Sequence, residues 1–148
     1  MRKIKLPKLN LVAFDPGGTT GVVEVFEGKL YRHCGLDYEE ILDRCGGKLI
    51  SPWVHYDLWV IEDFRLYPWV SEKLAFDPMI PARVIGALEA AAKGAEVTTV
   101  FQNAGEVKKF MNNKRLQEFG WFHSLNGDHE RDAARHALHY MVFKHGKS

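Results

Sequence analysis

The sequence predicts one α/β domain built on a sheet of five strands. Its 148 residues suit a single domain of ordinary size. Short apolar runs that end at glycine, proline or acidic residues alternate with segments of helical periodicity, in the order β-β-β-α-β-α-β-α-α. With 46% hydrophobic and 26% charged residues, the composition is typical of globular proteins and excludes the disordered, collagen-like and coiled-coil classes.

The elements follow from local signals. An apolar run before Asp15-Pro16-Gly17-Gly18 predicts a buried strand, and Glu27-Gly28-Lys29 is a link of hairpin size. Asp37 is a typical N-cap for a helix that stops at Gly46-Gly47. The predicted strands are 9–14, 21–26, 30–34, 58–61 and 97–101, and the later helices are 82–93, one or two between 106 and 119, and 128–144; residues 65–81 form a long connection.

Charge and cysteine content exclude several protein classes. The formal charge of +1 gives no bulk attraction to DNA or to anionic membranes. Cys34 and Cys45 are too few and too isolated for a disulfide framework or a zinc-binding CxxC pair. The basic start leads only to a short apolar stretch that Asp15 ends, so we expect no signal peptide or membrane span. These features are typical of a soluble cytoplasmic protein with reduced, partly buried thiols.

Acidic side chains recur where chemistry is expected. Two apolar strands end on Asp15 and Glu62, and the last helix carries His129, Asp132 and His136 on one face. Oxygen-rich, incompletely closed sites are those that hard divalent cations such as Mg²⁺ prefer. Zinc is disfavoured because no cysteine lies near these carboxylates.

Three segments resemble, in order, the motifs of RuvC-type Holliday junction resolvases. Residues 15–21, DPGGTTG, are similar to the first motif, and Val60-Ile61-Glu62 to the second. Residues 129–137 are similar to the C-terminal motif, in which an Asp or His lies three residues before an aspartate followed by alanine. The motifs cover most of the chain, which is shorter than usual for cellular members, so we expect a compact phage-type member in a bacterial cell.

This resemblance implies an RNase H-like fold, with a five-stranded mixed sheet flanked by helices, and a homodimer that resolves Holliday junctions and other branched DNA by paired nicking. Asp15, Glu62, His129 and Asp132 match the catalytic, metal-binding positions. The implied cofactor is Mg²⁺ or Mn²⁺, two ions per site, with Asp15 bridging them and His129 acting as a ligand or as proton acceptor for the attacking water.

Several assignments stay open from spacing. Asp128, His129 and Glu130 are adjacent, and any of them can reach a metal; Asp63 competes with Glu62, although neighbours on a strand face opposite sides. Residues predicted to contact DNA are basic or aromatic: Arg65, Tyr67, Trp69, Lys73, Lys108, Lys109, Lys114 and Arg115. Phe64, Tyr67 and Trp69 are equally compatible with core packing, and the lysine group with an ordinary solvated helix face.

Other functions remain as alternatives. One is a non-catalytic RNase H-like module that binds DNA. Another is nucleotide binding, because Asp-x-Gly-Gly-Thr also resembles the phosphate-binding hairpin of actin-like and sugar-kinase ATPases; those proteins enclose ATP between two such domains, and this chain has room for one. Taken separately, Asp15-Pro-Gly-Gly is also compatible with an ordinary strand-ending turn.

Overall fold

The protein is described by a computed structural model for residues 5–47, 52–64 and 78–145. The strands are β1 (Leu11–Asp15), β2 (Thr19–Phe26), β3 (Lys29–Asp37), β4 (Leu58–Glu62) and β5 (Thr98–Gln102). The helices are α1 (Tyr38–Gly46), α2 (Ile80–Gly94), α3 (Ala104–Phe110), α4 (Asn113–Glu118) and α5 (Gly127–His139), and a π-helical turn, Tyr140–Lys144, continues α5.

The five strands form one mixed sheet in the order β3-β2-β1-β4-β5. The meander β1-β2-β3 is antiparallel, whereas β4 pairs parallel to β1 and β5 pairs parallel to β4. The carboxyl ends of β1, β4 and β5 therefore lie at the same edge. This edge is where the predicted acidic residues are found.

Alternation along the strands divides the core into two layers. Leu11, Ala13 and Val60 face α5, whereas Val12, Phe14 and Ile61 face the side covered by α1 and α2. All six side chains are inaccessible to solvent. The sheet is thus buried on both faces at its centre, which explains why β1 and β4 are continuous apolar runs.

Element boundaries differ from the prediction by a few residues. β3 extends to Asp37 because Asp37 and Glu40 form a capping box that starts α1 directly from the strand end. α2 begins at Ile80, since Pro81 occupies its first turn, where a missing N–H breaks no helical bond. β5 ends one residue later than predicted, at Gln102, and the segment after it forms two helices.

The structure also shows how far the two cysteines and Phe64 are buried. Cys34 and Cys45 are free and partly buried, and Phe64 packs against the α1–α2 core layer instead of being free to stack on bases. No helix within the described residues is long and apolar enough to cross a membrane.

Candidate active site

Three polar side chains stand side by side where the parallel strands end. Asp15, Glu62 and Gln102 continue the alternation that directs Ala13, Val60 and Val100 toward α5. β4 and β5 place Glu62 directly opposite Gln102. The same alternation directs Asp63 away, and its exposed carboxylate accepts a hydrogen bond from the Phe64 backbone N–H at 3.0 Å. The structure thus brings Glu62, not Asp63, to Asp15.

The turn after β1 brings α5 close to the sheet. Thr20 is buried and its Oγ1 lies 3.4 Å from the Gly17 backbone nitrogen, closing the Pro-Gly-Gly turn. A Cβ atom on Gly21 would lie 1.9 Å from the backbone oxygen of His129. Only glycine leaves room for this contact, so Gly21 sets the position of the first turn of α5.

α5 supplies the second half of the site. His129 is half-exposed, and its Nδ1 lies 3.4 Å from Asp15 Oδ2. His136, seven residues along the same face, is buried with Nε2 3.0 Å from Glu62 Oε1. Ala133 and Ala137 pack toward the sheet, and their small side chains allow the close approach.

Asp15 and Glu62 share one negative charge between them. Burial raises the pKa of Asp15 to about 9, and the hydrogen bond and negative charge of Glu62 and the charge of Asp132 act in the same direction. Burial also opposes ionisation of Glu62, but hydrogen bonds with His136 and Asp15 outweigh it and lower the pKa of Glu62. Asp15 is therefore the protonated partner and Glu62 the ionised one.

Asp132 lies between this pair and a basic surface. Its carboxylate accepts a hydrogen bond from Arg135 and lies 3.6 Å from Lys108 Nζ on α3. The positive charge of Lys108 lowers the pKa of both Asp15 and Glu62. Beside Asp132 is an open groove of about 430 Å³, lined by Lys108, Asn112, Asn113, Asp128, Asp132 and Arg135.

The carboxylate oxygens of this site are the type of ligand that a hard divalent cation prefers. When both Asp15 and Glu62 are ionised, their oxygens repel one another in a mostly buried setting, and a bound dication would relieve this repulsion. In the described part of the chain, no three His, Cys, Asp or Glu side chains are arranged to hold an ion as they stand. Asp132 is instead engaged by Arg135 and Lys108.

The structure also places the remaining candidates. Glu130 is buried against β3, where it pairs with His33 and accepts from the Asn126 backbone N–H at 3.2 Å. Asp128 is exposed at the groove, so His129 is the one of the three adjacent candidates that lies beside Asp15. Lys109, Lys114 and Arg115 are exposed on α3 and α4; Arg65, Tyr67, Trp69 and Lys73 lie outside the described residues.

Sequence reasoning missed three buried contributors behind Glu62. Helical spacing puts His136 on the correct face but gives it no role, and neither spacing nor motif singles out Gln102 or His139. The sequence does carry a signal for Gln102, because this polar residue ends a third apolar strand, just as Asp15 and Glu62 each end a strand. The predicted strand stops at Phe101, one residue too early to include it.

Comparison with solved structures gives the same architecture. The structure of Thermus thermophilus RuvC in complex with a Holliday junction substrate matches with a TM-score of 0.63 and 19% identity, covering 88% of this chain and 90% of that one. A second Thermus thermophilus RuvC structure matches with a TM-score of 0.63 and 14% identity, covering 88% and 91%. No protein-family model and no curated protein matches the sequence. The predicted likeness is confirmed for the whole fold: the chain has the RNase H-like fold of RuvC over most of its length.

Proposed function

We propose that the protein is a metal-dependent endonuclease that resolves Holliday junctions and other branched DNA by paired nicking, acting as a homodimer. The observation that carries the proposal is the Asp15–Glu62 pair, which lies at two adjacent parallel strand ends and in which Asp15 is influenced by the charge of Asp132. All three are motif positions, in a chain with the fold of RuvC.

The proposed cofactor is Mg²⁺ or Mn²⁺, two ions per site, held by Asp15, Glu62, Asp132 and His129. Such ions lower the pKa of a bound water and stabilise the attacking and leaving oxygens of an in-line phosphodiester displacement, which leaves a 5′-phosphate and a 3′-hydroxyl. Binding requires Asp15 to lose its proton and Asp132 to exchange its contacts with Arg135 and Lys108.

The side chains of this chain have separate tasks in the proposed reaction. Asp15 and Glu62 form the mostly buried floor and exclude bulk water from one side. His129 is half-exposed beside Asp15, so its imidazole can accept the proton of the attacking water. Lys108, released from Asp132, is free to contact a DNA phosphate at the groove.

The wider DNA surface is part of the same proposal. Lys108, Lys109, Lys114 and Arg115 are exposed cations on two consecutive helices, and α3 adjoins the site through Lys108. They would neutralise phosphates, while Arg65, Tyr67, Trp69 and Lys73 would contact the junction from the connection between β4 and α2.

Cleavage of a labelled four-way junction tests the function. We expect wild-type protein with Mg²⁺ or Mn²⁺ to produce paired nicks with ligatable ends. Asp15→Asn should reduce cleavage by about 10³-fold or more, because it removes a carboxylate that would hold the metal, while the variant still binds the junction in a gel-shift assay. Absence of cleavage by wild type with either metal contradicts the proposal.

One observation favours a second candidate, a non-catalytic DNA-binding module. The ion pairs of Asp132 with Arg135 and Lys108 occupy a carboxylate that catalysis needs. This candidate predicts salt-dependent junction binding and no product under any divalent metal. The cleavage assay separates the two, since Asp15→Asn then behaves like wild type.

A further inference from the structure

Glu62 is backed by a row of buried polar side chains. His136, Gln102 and His139 are 1%, 6% and 2% exposed, respectively. They connect β5 to α5 across the core layer on the α5 side of the sheet. Buried polar groups of this kind must satisfy one another's donors and acceptors, so the contacts fix where each proton lies.

The orientation of Gln102 follows from one backbone contact. Its Nε2 lies 2.9 Å from the backbone oxygen of His136, and that oxygen can only accept. The amide nitrogen therefore faces His136 and the amide oxygen faces His139, whose Nδ1 lies 3.2 Å from Oε1. His139 must then carry its proton on Nδ1.

The tautomer of His136 follows in turn. The second hydrogen of Gln102 Nε2 points at His136 Nδ1, 3.2 Å away, so this nitrogen must be the acceptor and cannot hold a proton. The proton of the ring is then on Nε2, which lies 3.0 Å from Glu62 Oε1. Each of the three side chains therefore donates one hydrogen bond in the direction of Glu62.

We propose that His139, Gln102 and His136 form a polarised hydrogen-bond chain that positions Glu62 for its role in the active site. This inference rests on the proposed function for what Glu62 does, but not for how the chain is ordered. The three are positioning residues, since none of them contacts the groove. Metal-binding carboxylates commonly depend on such outer partners to hold their orientation.

The outer end of the chain is sheltered. The His139 ring centroid lies 5.0 Å from that of Phe143 and 6.1 Å from that of Phe110. Beyond it, Glu106 lies 3.9 Å from His139 Nε2 and 3.6 Å from Lys144 Nζ at the surface. Burial lowers the pKa of His139, which is consistent with a neutral ring that holds a single tautomer.

The tautomers can be measured without metal or DNA. We expect ¹⁵N spectra of the full-length protein to show His136 as the Nε2–H form and His139 as the Nδ1–H form, with signals assigned by their loss in His136→Asn and His139→Asn. Wild-type His136 found as the Nδ1–H or the doubly protonated form overturns the proposal, whether or not the protein cleaves DNA.

A variant then tests the effect on Glu62. Gln102→Leu keeps the approximate volume but removes both hydrogen bonds to His136, so we expect its tautomers to mix and cleavage kcat to fall about 10- to 100-fold, while the junction Kd changes less than about twofold. Val100→Ala is the matched control, because it weakens packing in the same strand and leaves the hydrogen bonds of His139, Gln102 and His136 in place.

The outcomes separate the two proposals. Gln102→Leu with unchanged His136 signals, or with a loss of kcat no larger than that of Val100→Ala at equal Tm, overturns the positioning role. If wild type shows the expected tautomers but never cleaves DNA, the proposed function fails and the ordered chain remains.

Discussion

Asp15 combines burial with acidic neighbours, and this affects stability as well as chemistry. Its pKa is raised from 3.8 to about 9 by burial and by Glu62 and Asp132. The folded state thus retains a proton that the unfolded chain releases above pH 4. The stabilising contribution of this proton is complete below pH 4 and is lost as pH rises toward 9.

Asp15→Asn should therefore stabilise the metal-free protein at neutral and mildly alkaline pH. Asparagine keeps the shape and can donate to Glu62 without ionising, so we expect a higher free energy of unfolding than wild type, by about 1 kcal/mol or more at pH 8. Urea unfolding from pH 5 to pH 9 measures the difference, which should grow with pH.

Asp57→Asn provides the control for this prediction. Asp57 is exposed, so its neutralisation should change stability by less than about 0.5 kcal/mol at every pH. An Asp15→Asn protein that is no more stable than wild type at pH 8 would contradict the assigned electrostatics.

Single residues also show how far the sequence predicts the site. Strand periodicity predicts that only one of Glu62 and Asp63 enters the site, since a step of one residue reverses the face, and the motif resemblance favours Glu62. Periodicity is not sufficient for the pairing of His136 with Gln102, because that contact joins elements 34 positions apart. Spacing on one helix likewise gave no sign that Asp132 would pair with Lys108 on α3.

At the level of elements, the position of α5 depends on the strand beneath it. β2 contributes Gly21, the last residue of DPGGTTG, and the His129 backbone lies against its Cα. The sequence predicted both elements but not this contact, because packing of a helix on a distant strand leaves no periodic signal. Gly21 is required because any side chain at this position would collide with the backbone of α5.

Gly21→Ala should therefore damage both stability and catalysis. The new Cβ would lie 1.9 Å from the His129 oxygen and 2.3 Å from its carbonyl carbon, so α5 must shift. We expect a loss of about 1–3 kcal/mol in the free energy of unfolding. Cleavage should fall further than this loss explains, since α5 carries His129 and Asp132; urea unfolding and a cleavage assay on the folded fraction measure both.

Gly86→Ala is a matched substitution with the opposite expected sign. Gly86 is exposed on α2, and nothing lies within 4 Å of its added Cβ. Alanine should stabilise the helix by about 0.5–1 kcal/mol and leave cleavage unchanged. Equal behaviour of the two variants would show that Gly21 does not set the position of α5.

For the whole molecule, the formal charge of +1 conceals an uneven distribution. Asp15 and Glu62 lie at one sheet edge, with Asp132 of α5 near enough to act on Asp15 through its charge. The exposed cations of the neighbouring helices α3 and α4 are Lys108, Lys109, Lys114 and Arg115. If the proposed function holds, the negative charges of Glu62 and Asp132 repel DNA phosphates from this surface in the absence of divalent cations, whereas Asp15 is protonated and adds no charge. The composition shows that basic and acidic residues are nearly equal in number, but only the fold shows that the acidic site and the exposed cations are neighbours.

Junction affinity should therefore depend on divalent cations. At constant ionic strength, and at a temperature where no product forms, we expect wild type to bind a labelled four-way junction about fivefold or more tightly in Mg²⁺ than in EDTA. The reason is that two unit charges 4 Å apart in water interact by about 1 kcal/mol. The double variant Asp15→Asn/Glu62→Gln should bind equally with and without Mg²⁺. Because Asp15 is protonated, the double variant removes one negative charge, that of Glu62, from the metal-free protein. Glu89→Gln removes one charge from an exposed position on α2, across the sheet, and should keep the wild-type dependence. Fluorescence anisotropy measures the Kd of all three proteins in both conditions, and a wild-type Kd that is the same in EDTA and Mg²⁺ would show that the carboxylates do not oppose DNA binding.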